Sequence, residues 1–360
     1  MVGDELGAQI FSVAWESVET TRRGLTQRHG YVWCAFAAVL FGSATPAIKL
    51  LVDHVGSVTL AGLLYLGAAA AVIPITAREQ RRATTRRQRS RLLLAVGFGG
   101  GLAPVLLILA LDRTPAGTVS LFLNLELVAT AIIARVFLQE HIGKRAGLGI
   151  VIVVLGGAIL AGGADGGIAA GALLVAATCV CWGIDNAITA SLDSYTPAQI
   201  TLAKGVVAGS VNLVIGLFLD GFPAARFAFA AIGIGVLGYG VSITMWITGA
   251  RLVGAARGQV IFALAPFVGA LLAWPINNDR LSPATVVAFS ISLVGVIVVG
   301  SAHHRHRHVH QSMQHAHPID PEDPHHSRNA IEVLSGTEHR HLALTHEHEH
   351  LPDIHHRHGH

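Results

Sequence analysis

Long apolar stretches dominate residues 31–302, and short polar connections interrupt them at regular intervals. A helix needs about 20 mostly apolar residues to cross the hydrocarbon core of a bilayer. The connections carry charges and turn residues, as in Asp112-Arg113-Thr114-Pro115. The pattern therefore predicts an all-α membrane protein with ten transmembrane helices. The ten predicted spans are residues 31–51, 57–77, 92–111, 116–138, 147–163, 168–190, 198–219, 227–249, 255–276 and 284–302.

The second half of the apolar region repeats the first. Residues 110–138 align with residues 250–278 at an offset of 140 without a gap, and Gly42 matches Gly183 at an offset of 141. A repeat of this length is too long for a solenoid unit and suits the doubled bundles of secondary transporters. The sequence therefore predicts two five-helix repeats, residues 31–163 and residues 168–302.

Arginine is concentrated in one connection between predicted spans. Residues 78–91 contain seven arginines against a single acid, Glu79. The positive-inside rule places this connection in the cytoplasm, together with the N-terminal segment 1–30 and the C-terminus. Because five spans per repeat is an odd number, the second repeat is predicted to run inverted relative to the first. We expect a multi-pass protein of the inner (cytoplasmic) membrane with both termini inside the cell.

Composition excludes several classes of protein. The chain is 52% hydrophobic and 13% charged, with a mean hydropathy of +0.55, which is too apolar for a soluble protein. The sequence shows no basic face with interleaved aromatic residues, so nucleic-acid binding is not expected. The three cysteines fall in apolar stretches and give no disulfide framework. No nucleotide loop or catalytic triad is visible, so an enzyme is not expected, and Gly97-Phe98-Gly99-Gly100-Gly101 is interpreted as helix packing.

Several short motifs carry a family resemblance. They are Phe-Gly-Ser-Ala-Thr-Pro-Ala-Ile-Lys at 41–49, Ala-Leu-x-x-Thr-x-Ala at 110–116, Leu-Asn-Leu-Glu at 123–126, Gln139-Glu140, Cys-Trp-Gly-Ile-Asp-Asn at 181–186 and Ala-Pro-Phe at 265–267. With these motifs the chain resembles EamA-domain proteins of the drug/metabolite transporter superfamily over residues 31–302, and it is most similar to bacterial members with a His-rich tail. Phe41 stands where the family usually has Trp. Asn278-Asp279-Arg280 stands where Gly-Glu is usual, so no carboxylate role is carried over there.

Polar side chains inside the predicted spans are the candidate substrate-binding residues. A charged group in the hydrocarbon region costs roughly 2.5–3.5 kcal/mol, so each needs a partner or a function. Proline removes a backbone hydrogen bond, and a kinked helix can line a transport site. The candidates are Asn124, Glu126, Asp185, Asn186, Lys204 and Pro266.

Two interpretations of the charged candidates remain open. In the first, Glu126 and Asp185 bind substrate or a proton, and Lys204 is the counter-charge. In the second, a fixed ion pair, for instance Glu126 with Lys204, only holds helices together. Lys49 and Arg135 lie near span ends, where their side chains can reach the interface.

The C-terminal tail, residues 303–360, contains 18 of the 21 histidines. It has too few large apolar residues to bury a core, so we expect it to be disordered. Imidazole binds Ni, Co and Zn, but a solvated, charge-tunable segment explains the same composition. The metal-ligand candidates are His303, His304, His306, His308, His310, His346, His348, His350, His355, His356, His358 and His360.

Two functions fit these observations. The first is a secondary active transporter that exports a small metabolite by alternating access, with no required cofactor. The second is a membrane-anchored buffer, sensor or exporter of divalent Ni, Co or Zn that uses the tail. The expected partners are the lipid bilayer and a small-molecule substrate, and no nucleic acid. The sequence leaves open the coupling ion and whether the chain forms a homodimer.

Overall fold

Helices and the short turns between them make up the described part of the chain up to Ser301. The computed structural model describes residues 28–79, 83–137, 143–162, 166–189, 191–192, 194–253, 255–301, 304–310, 313–316, 331–335, 338–341 and 344–350. Predictions that concern residues 1–27, Gln139-Glu140 and the histidines at 303 and 355–360 therefore lie outside the described residues.

Ten helical spans are long and apolar enough to cross a membrane, which confirms the predicted number. We call them spans 1 to 10 in chain order. They are Arg28–Lys49, Ser57–Thr76, Arg86–Arg113, Ala116–Ile133, Lys144–Gly162, Ile168–Thr189, Pro197–Asp220, Ala225–Ala250, Val260–Asn277 and Pro283–Gly300.

Several spans consist of more than one helical segment. Three spans contain a π-helical segment, Val96–Leu102 in span 3, Lys204–Ala208 in span 7 and Gly235–Val241 in span 8. The α-helical segments are α1 (Arg28–Lys49), α2 (Ser57–Thr76), α3 (Arg86–Ala95), α4 (Ala103–Arg113), α5 (Ala116–Phe122), α6 (Leu125–Phe137), α7 (Lys144–Gly162), α8 (Gly166–Thr189), α9 (Pro197–Ala203), α10 (Gly209–Asp220), α11 (Ala225–Ile234), α12 (Ser242–Val253), α13 (Ala255–Phe262), α14 (Ala265–Asn277) and α15 (Pro283–Gly300).

Small residues allow the spans to pack closely. Span 5 packs along span 10, and a methyl group added to Gly149 would lie 2.8 Å from the carbonyl oxygen of Gly295. Span 2 packs along span 7, and span 4 along span 9. Close backbone approach at small residues is the main packing device where lipid supplies no hydrophobic drive. In each of these pairs, equivalent spans of the two repeats pack together.

Spans 4 and 9 are interrupted at equivalent positions. A turn at Leu123-Asn124 separates α5 from α6, and a turn at Ala263-Leu264 separates α13 from α14. The two turns are 140 residues apart, which is the offset of the sequence repeat. Interrupted helices expose backbone groups inside a bundle and often mark the site in transporters.

The tail, residues 302–360, forms a separate unit. It holds two small antiparallel sheets. One pairs β1 (His304–His310) with β5 (Leu344–His350), and the other has the order β2 (Met313–Ala316), β4 (Glu338–His341), β3 (Ile331–Ser335).

β1 and β5 pair along seven residues each, without a shift in register. The register of β1 and β5 places Arg305 opposite Glu349 and Arg307 opposite Glu347. Composition alone does not reveal this pairing, because it depends on the register between distant segments.

Candidate functional site

An ion pair lies inside the bundle between spans 6 and 7. The Nζ atom of Lys204 is 2.6 Å from Oδ2 of Asp185, and the two side chains are only 15% and 7% exposed. The hydroxyl of Thr189, one helical turn after Asp185, donates to its Oδ1 at 3.1 Å. The sequence suggested Glu126 as the partner of Lys204 in a fixed ion pair, whereas the structure pairs Lys204 with Asp185.

A backbone carbonyl of span 3 forms the second part of the site. The Ala103 amide donates to the Phe98 carbonyl, five residues earlier. In the same π-helical pattern, the Gly99 carbonyl would accept from the amide of residue 104. Residue 104 is a proline and has no N–H. The Gly99 carbonyl instead accepts from the Tyr65 hydroxyl at 2.6 Å and from the Trp182 indole at 3.3 Å.

The absence of a side chain at Gly99 also makes room for the ion pair. A methyl group added to Gly99 would lie 2.1 Å from Oδ2 of Asp185, far inside van der Waals contact. The interpretation of residues 97–101 as packing missed this role. The signal was present in the sequence as a glycine run followed by Pro104 within a span.

Glu126 is held next to the ion pair through Asn186. Nδ2 of Asn186 donates to Oε1 of Glu126 at 3.0 Å, which joins span 6 to span 4. Asn186 directly follows Asp185 in the chain. The structure therefore brings four of the six predicted site residues into one cluster. We define the polar cluster as Glu126, Asp185, Asn186, Lys204 and the Gly99 carbonyl.

The remaining two predicted site residues lie at the helix interruptions. Asn124 is buried, and its side chain donates to the Leu121 carbonyl at 3.0 Å, so it closes the turn of span 4. Pro266 lies in the first turn of α14, after the interruption at residues 263–264. The prediction of a kink at Pro266 inside a continuous helix was therefore wrong. Proline is tolerated in the first turn, where its missing N–H has no partner to lose.

Four aromatic residues, of which the sequence analysis named only Phe41, form a second cluster. The ring centroids of Phe41 and Phe262 are 5.1 Å apart, and Tyr239 lies 5.7 Å from Phe41. Trp246 lies 5.8 Å from Phe262. We define the aromatic cluster as Phe41, Tyr239, Trp246 and Phe262, from spans 1, 8 and 9. Tyr65 joins the two clusters, because its ring lies 5.8 Å from Tyr239.

Other polar groups have structural contacts at the ends of spans. Oδ2 of Asp279 accepts from the Gly117 amide at 2.7 Å, in the first turn of α5. The Lys49 ammonium donates to the Leu111 carbonyl of span 3. These contacts hold the ends of spans 1, 3, 4 and 9 together. In the described residues, no group of three or more His, Cys, Asp or Glu side chains could hold a metal ion.

Comparison with known proteins places this architecture in one family. The profile of the EamA-like transporter family matches residues 28–162 and again residues 169–301. Each match contains five of the ten spans. An "Uncharacterized transporter" of Methanothermobacter thermautotrophicus is 25% identical over 294 residues, which is 75% of this chain and 85% of that protein.

A second relative has a more specific name. A "Probable terminal-alkyne amino-acid exporter" of Streptantibioticus cattleyicolor is 26% identical over 279 residues, covering 74% of this chain and 92% of that protein. A solved structure described as "Crystal structure of protein" shares the fold with a TM-score of 0.55 at 17% identity, over 76% of this chain and 98% of that chain.

The family and the named relatives are transporters and not enzymes. A multi-pass membrane protein that contacts the lipid bilayer and a small-molecule substrate fits the ten spans and the polar cluster between them. The family profile covers well over half of the chain, in two copies. The chain belongs to the EamA-like transporter family.

Proposed function

We propose that this protein is a secondary active exporter of a small zwitterionic metabolite of the amino-acid type. The observation that carries the proposal is the ion pair between Asp185 and Lys204 inside the spans. It holds one carboxylate and one ammonium in a place where both are costly. An amino acid presents the same two charges. Its carboxylate can therefore pair with Lys204 in place of Asp185, and its ammonium can pair with Asp185 in place of Lys204. The name of the Streptantibioticus relative supports this substrate class.

Transport by alternating access fits the two repeats. Each repeat has five spans, so a second repeat that crosses the membrane the same number of times runs inverted. The arginines of residues 78–91 support a cytoplasmic location of that connection and of both termini, in a protein of the inner membrane. Reporter fusions at Gly30 and His360 test this topology. Both are expected to report cytoplasm, and an extracytoplasmic signal at His360 alone would contradict the inverted arrangement.

Glu126 is the proposed coupling residue. It lies at the start of α6, immediately after the interruption of span 4, and its hydrogen bond to Asn186 connects it to span 6 at the residue that follows Asp185. A carboxylate that gains and loses a proton during the cycle can link substrate movement to a proton gradient. No separate cofactor is needed for this mechanism.

The test uses the full chain in proteoliposomes with L-propargylglycine, a terminal-alkyne amino acid, as the probe. We expect the wild type to exchange the probe across the membrane and to accumulate it against a proton gradient. Glu126→Gln should retain exchange but lose accumulation, because Gln cannot carry the proton. Asp112→Asn, which alters an exposed carboxylate paired with Arg113, is the matched control and should retain both activities. Accumulation by Glu126→Gln at the wild-type level would refute proton coupling at this residue.

The tail supports a second proposed function, the binding of Ni, Co or Zn. The register of β1 and β5 places three histidine pairs opposite each other, His304 with His350, His306 with His348 and His308 with His346. Metal binding requires neutral imidazole, whose ordinary pKa is about 6.5. We therefore expect strong binding at pH 7.5 and little at pH 5.

Calorimetric titration of the full chain with Ni²⁺ or Zn²⁺ at these two pH values measures the binding. A chain that lacks residues 303–360 is the control, and it should lose the metal signal and retain amino-acid exchange. Equal heats for the two chains would remove the metal function. Loss of exchange on deletion would show that the tail serves transport instead of metal binding.

A further inference from the structure

We infer that the aromatic cluster is a second substrate subsite, which binds the apolar side group of the transported molecule. In this arrangement the indole N–H of Trp246 donates a hydrogen bond to an acceptor on that side group. The inference rests on the proposed amino-acid transport and names the part of the substrate that selects it. Its residues, Phe41, Tyr239, Trp246 and Phe262, come from spans 1, 8 and 9, away from the ion pair of spans 6 and 7.

A continuous set of contacts leads from the charged groups to the aromatic rings. The Gly99 backbone is next to the Asp185 carboxylate, and its carbonyl accepts from the Tyr65 hydroxyl at 2.6 Å. The Tyr65 ring then lies 5.8 Å from the Tyr239 ring. A molecule whose charged end replaces a partner in the ion pair can therefore extend its side group along Tyr65 toward the aromatic cluster.

Trp246 carries a donor that this arrangement would satisfy. Its Nε1 atom is buried and has no hydrogen-bond partner among the described residues. By contrast, the indole of Trp182 donates to the Gly99 carbonyl at 3.3 Å. A buried donor without a partner is costly, and a phenylalanine would fill similar space without that cost. The indole N–H is therefore explained by an acceptor that arrives with the substrate.

The two repeats differ at Phe262 in a way that favours a binding role. Phe262 is equivalent to Phe122 at the offset of 140. Phe122 is 1% exposed and belongs to the packed core, whereas Phe262 is only partly buried. Both residues directly precede the interruption of their span. The same ring at the same position is thus fully packed in one repeat and only partly buried in the other.

Binding sites for small molecules are mostly lined by apolar and aromatic side chains, with a few polar groups that fix orientation. The aromatic cluster, with one indole donor, has this composition. The ligand class that fits it is an amino acid with an aromatic or extended apolar side group that carries a hydrogen-bond acceptor. A glycine-sized molecule can use the polar cluster only.

The experiment compares three probes in counterflow on the full chain in proteoliposomes: glycine, L-phenylalanine and O-methyl-L-tyrosine. Phe262→Leu removes a ring, and Trp246→Phe retains a ring but removes the donor. Phe229→Leu is the matched control, because that ring is 74% exposed on span 8 and lies outside the aromatic cluster. Thermal unfolding of each variant checks that the bundle is intact.

Phe262→Leu is expected to raise the half-saturating concentration of L-phenylalanine about 2- to 10-fold, the effect of one aromatic pair, and to leave glycine unchanged. Trp246→Phe should raise the half-saturating concentration of O-methyl-L-tyrosine about 2- to 10-fold, which is the effect of one hydrogen bond. The half-saturating concentration of L-phenylalanine should stay unchanged in this variant. Phe229→Leu should change neither.

Two results would overturn the inference while leaving amino-acid transport in place. One is an equal change for glycine and L-phenylalanine in Phe262→Leu, and the other is no change for any probe in either variant. A wild-type chain that carries none of the three probes and no L-propargylglycine would overturn the proposed function and this inference together.

Discussion

The polar cluster and the aromatic cluster lie at positions that the internal repeat relates to each other, but they differ in chemistry. Both lie near an interrupted span and a π-helical segment. At offsets of 140 or 141, Asp185, Glu126 and Asn124 each coincide with an apolar residue of the other repeat, and two further positions carry different residues. The pairs are Asp185 with Ala44, Trp182 with Phe41, Glu126 with Pro266, Asn124 with Leu264 and Gly99 with Tyr239.

This difference shows how a duplicated bundle gains a directional site. The interruptions and the close packing of small residues are shared by both halves, so they belong to the scaffold. The charges lie in the polar cluster and the rings of Phe41 and Phe262 in the aromatic cluster, and each cluster draws residues from both repeats. A zwitterion with an apolar side group matches that division. A fully symmetric pair of sites would bind two charged groups or two apolar groups instead.

The largest expected effect comes from breaking the ion pair of the polar cluster. Asp185→Asn leaves Lys204 with its ammonium in the bundle and without its carboxylate, which costs roughly 3–5 kcal/mol of stability. We expect a lower unfolding temperature and no transport of L-propargylglycine. The double variant Asp185→Asn/Lys204→Met should recover most of the stability and none of the transport. Thermal unfolding and proteoliposome exchange measure the two properties separately, and transport by the double variant would make the ion pair structural only.

A smaller effect is expected at the glycine that admits the ion pair. Gly99→Ala places a methyl group against the Asp185 carboxylate, and overpacking of this kind costs about 1–3 kcal/mol. Gly97→Ala is the matched control, because its added methyl would meet nothing within 4 Å. We expect reduced exchange and stability for Gly99→Ala only. Similar losses in both variants would assign the effect to the helix and not to the ion pair.

The smallest effect on stability is expected at Asn186. Asn186→Ala removes one hydrogen bond to Glu126 at an exposed position. We therefore expect the free energy of unfolding to fall by about 0.5–1.5 kcal/mol or less. Exchange should persist, while the pH at which gradient-driven accumulation is half-maximal should shift, because Glu126 loses its partner. Thr248→Ala, an exposed polar position outside the polar cluster, is the control. An unchanged pH profile in Asn186→Ala would separate this hydrogen bond from coupling.

Some of the candidate site could be predicted from single residues. The cost of charges in a bilayer singled out Glu126, Asp185 and Lys204, and the structure brings Asp185 and Lys204 together. The pairing itself was not predictable, because Lys204 could equally have faced Glu126. Tyr65 and the Gly99 carbonyl were missed, because the candidates were chosen by the free-energy cost of a charged group in the hydrocarbon region. A tyrosine or a glycine in an apolar span carries no such charge.

The sequence by itself determined the ten spans, their division into two repeats and the family. A membrane helix forms its backbone hydrogen bonds within itself, so a stretch of about 20 apolar residues is enough to indicate it. Only the tertiary structure decided which polar groups meet. Contacts such as Lys204 with Asp185, Asn186 with Glu126 and Tyr65 with Gly99 join different spans. They depend on the rotation of each helix about its axis and on the π-helical shift before Pro104. Packing between helices sets these rotations, and the length of an apolar stretch does not predict them.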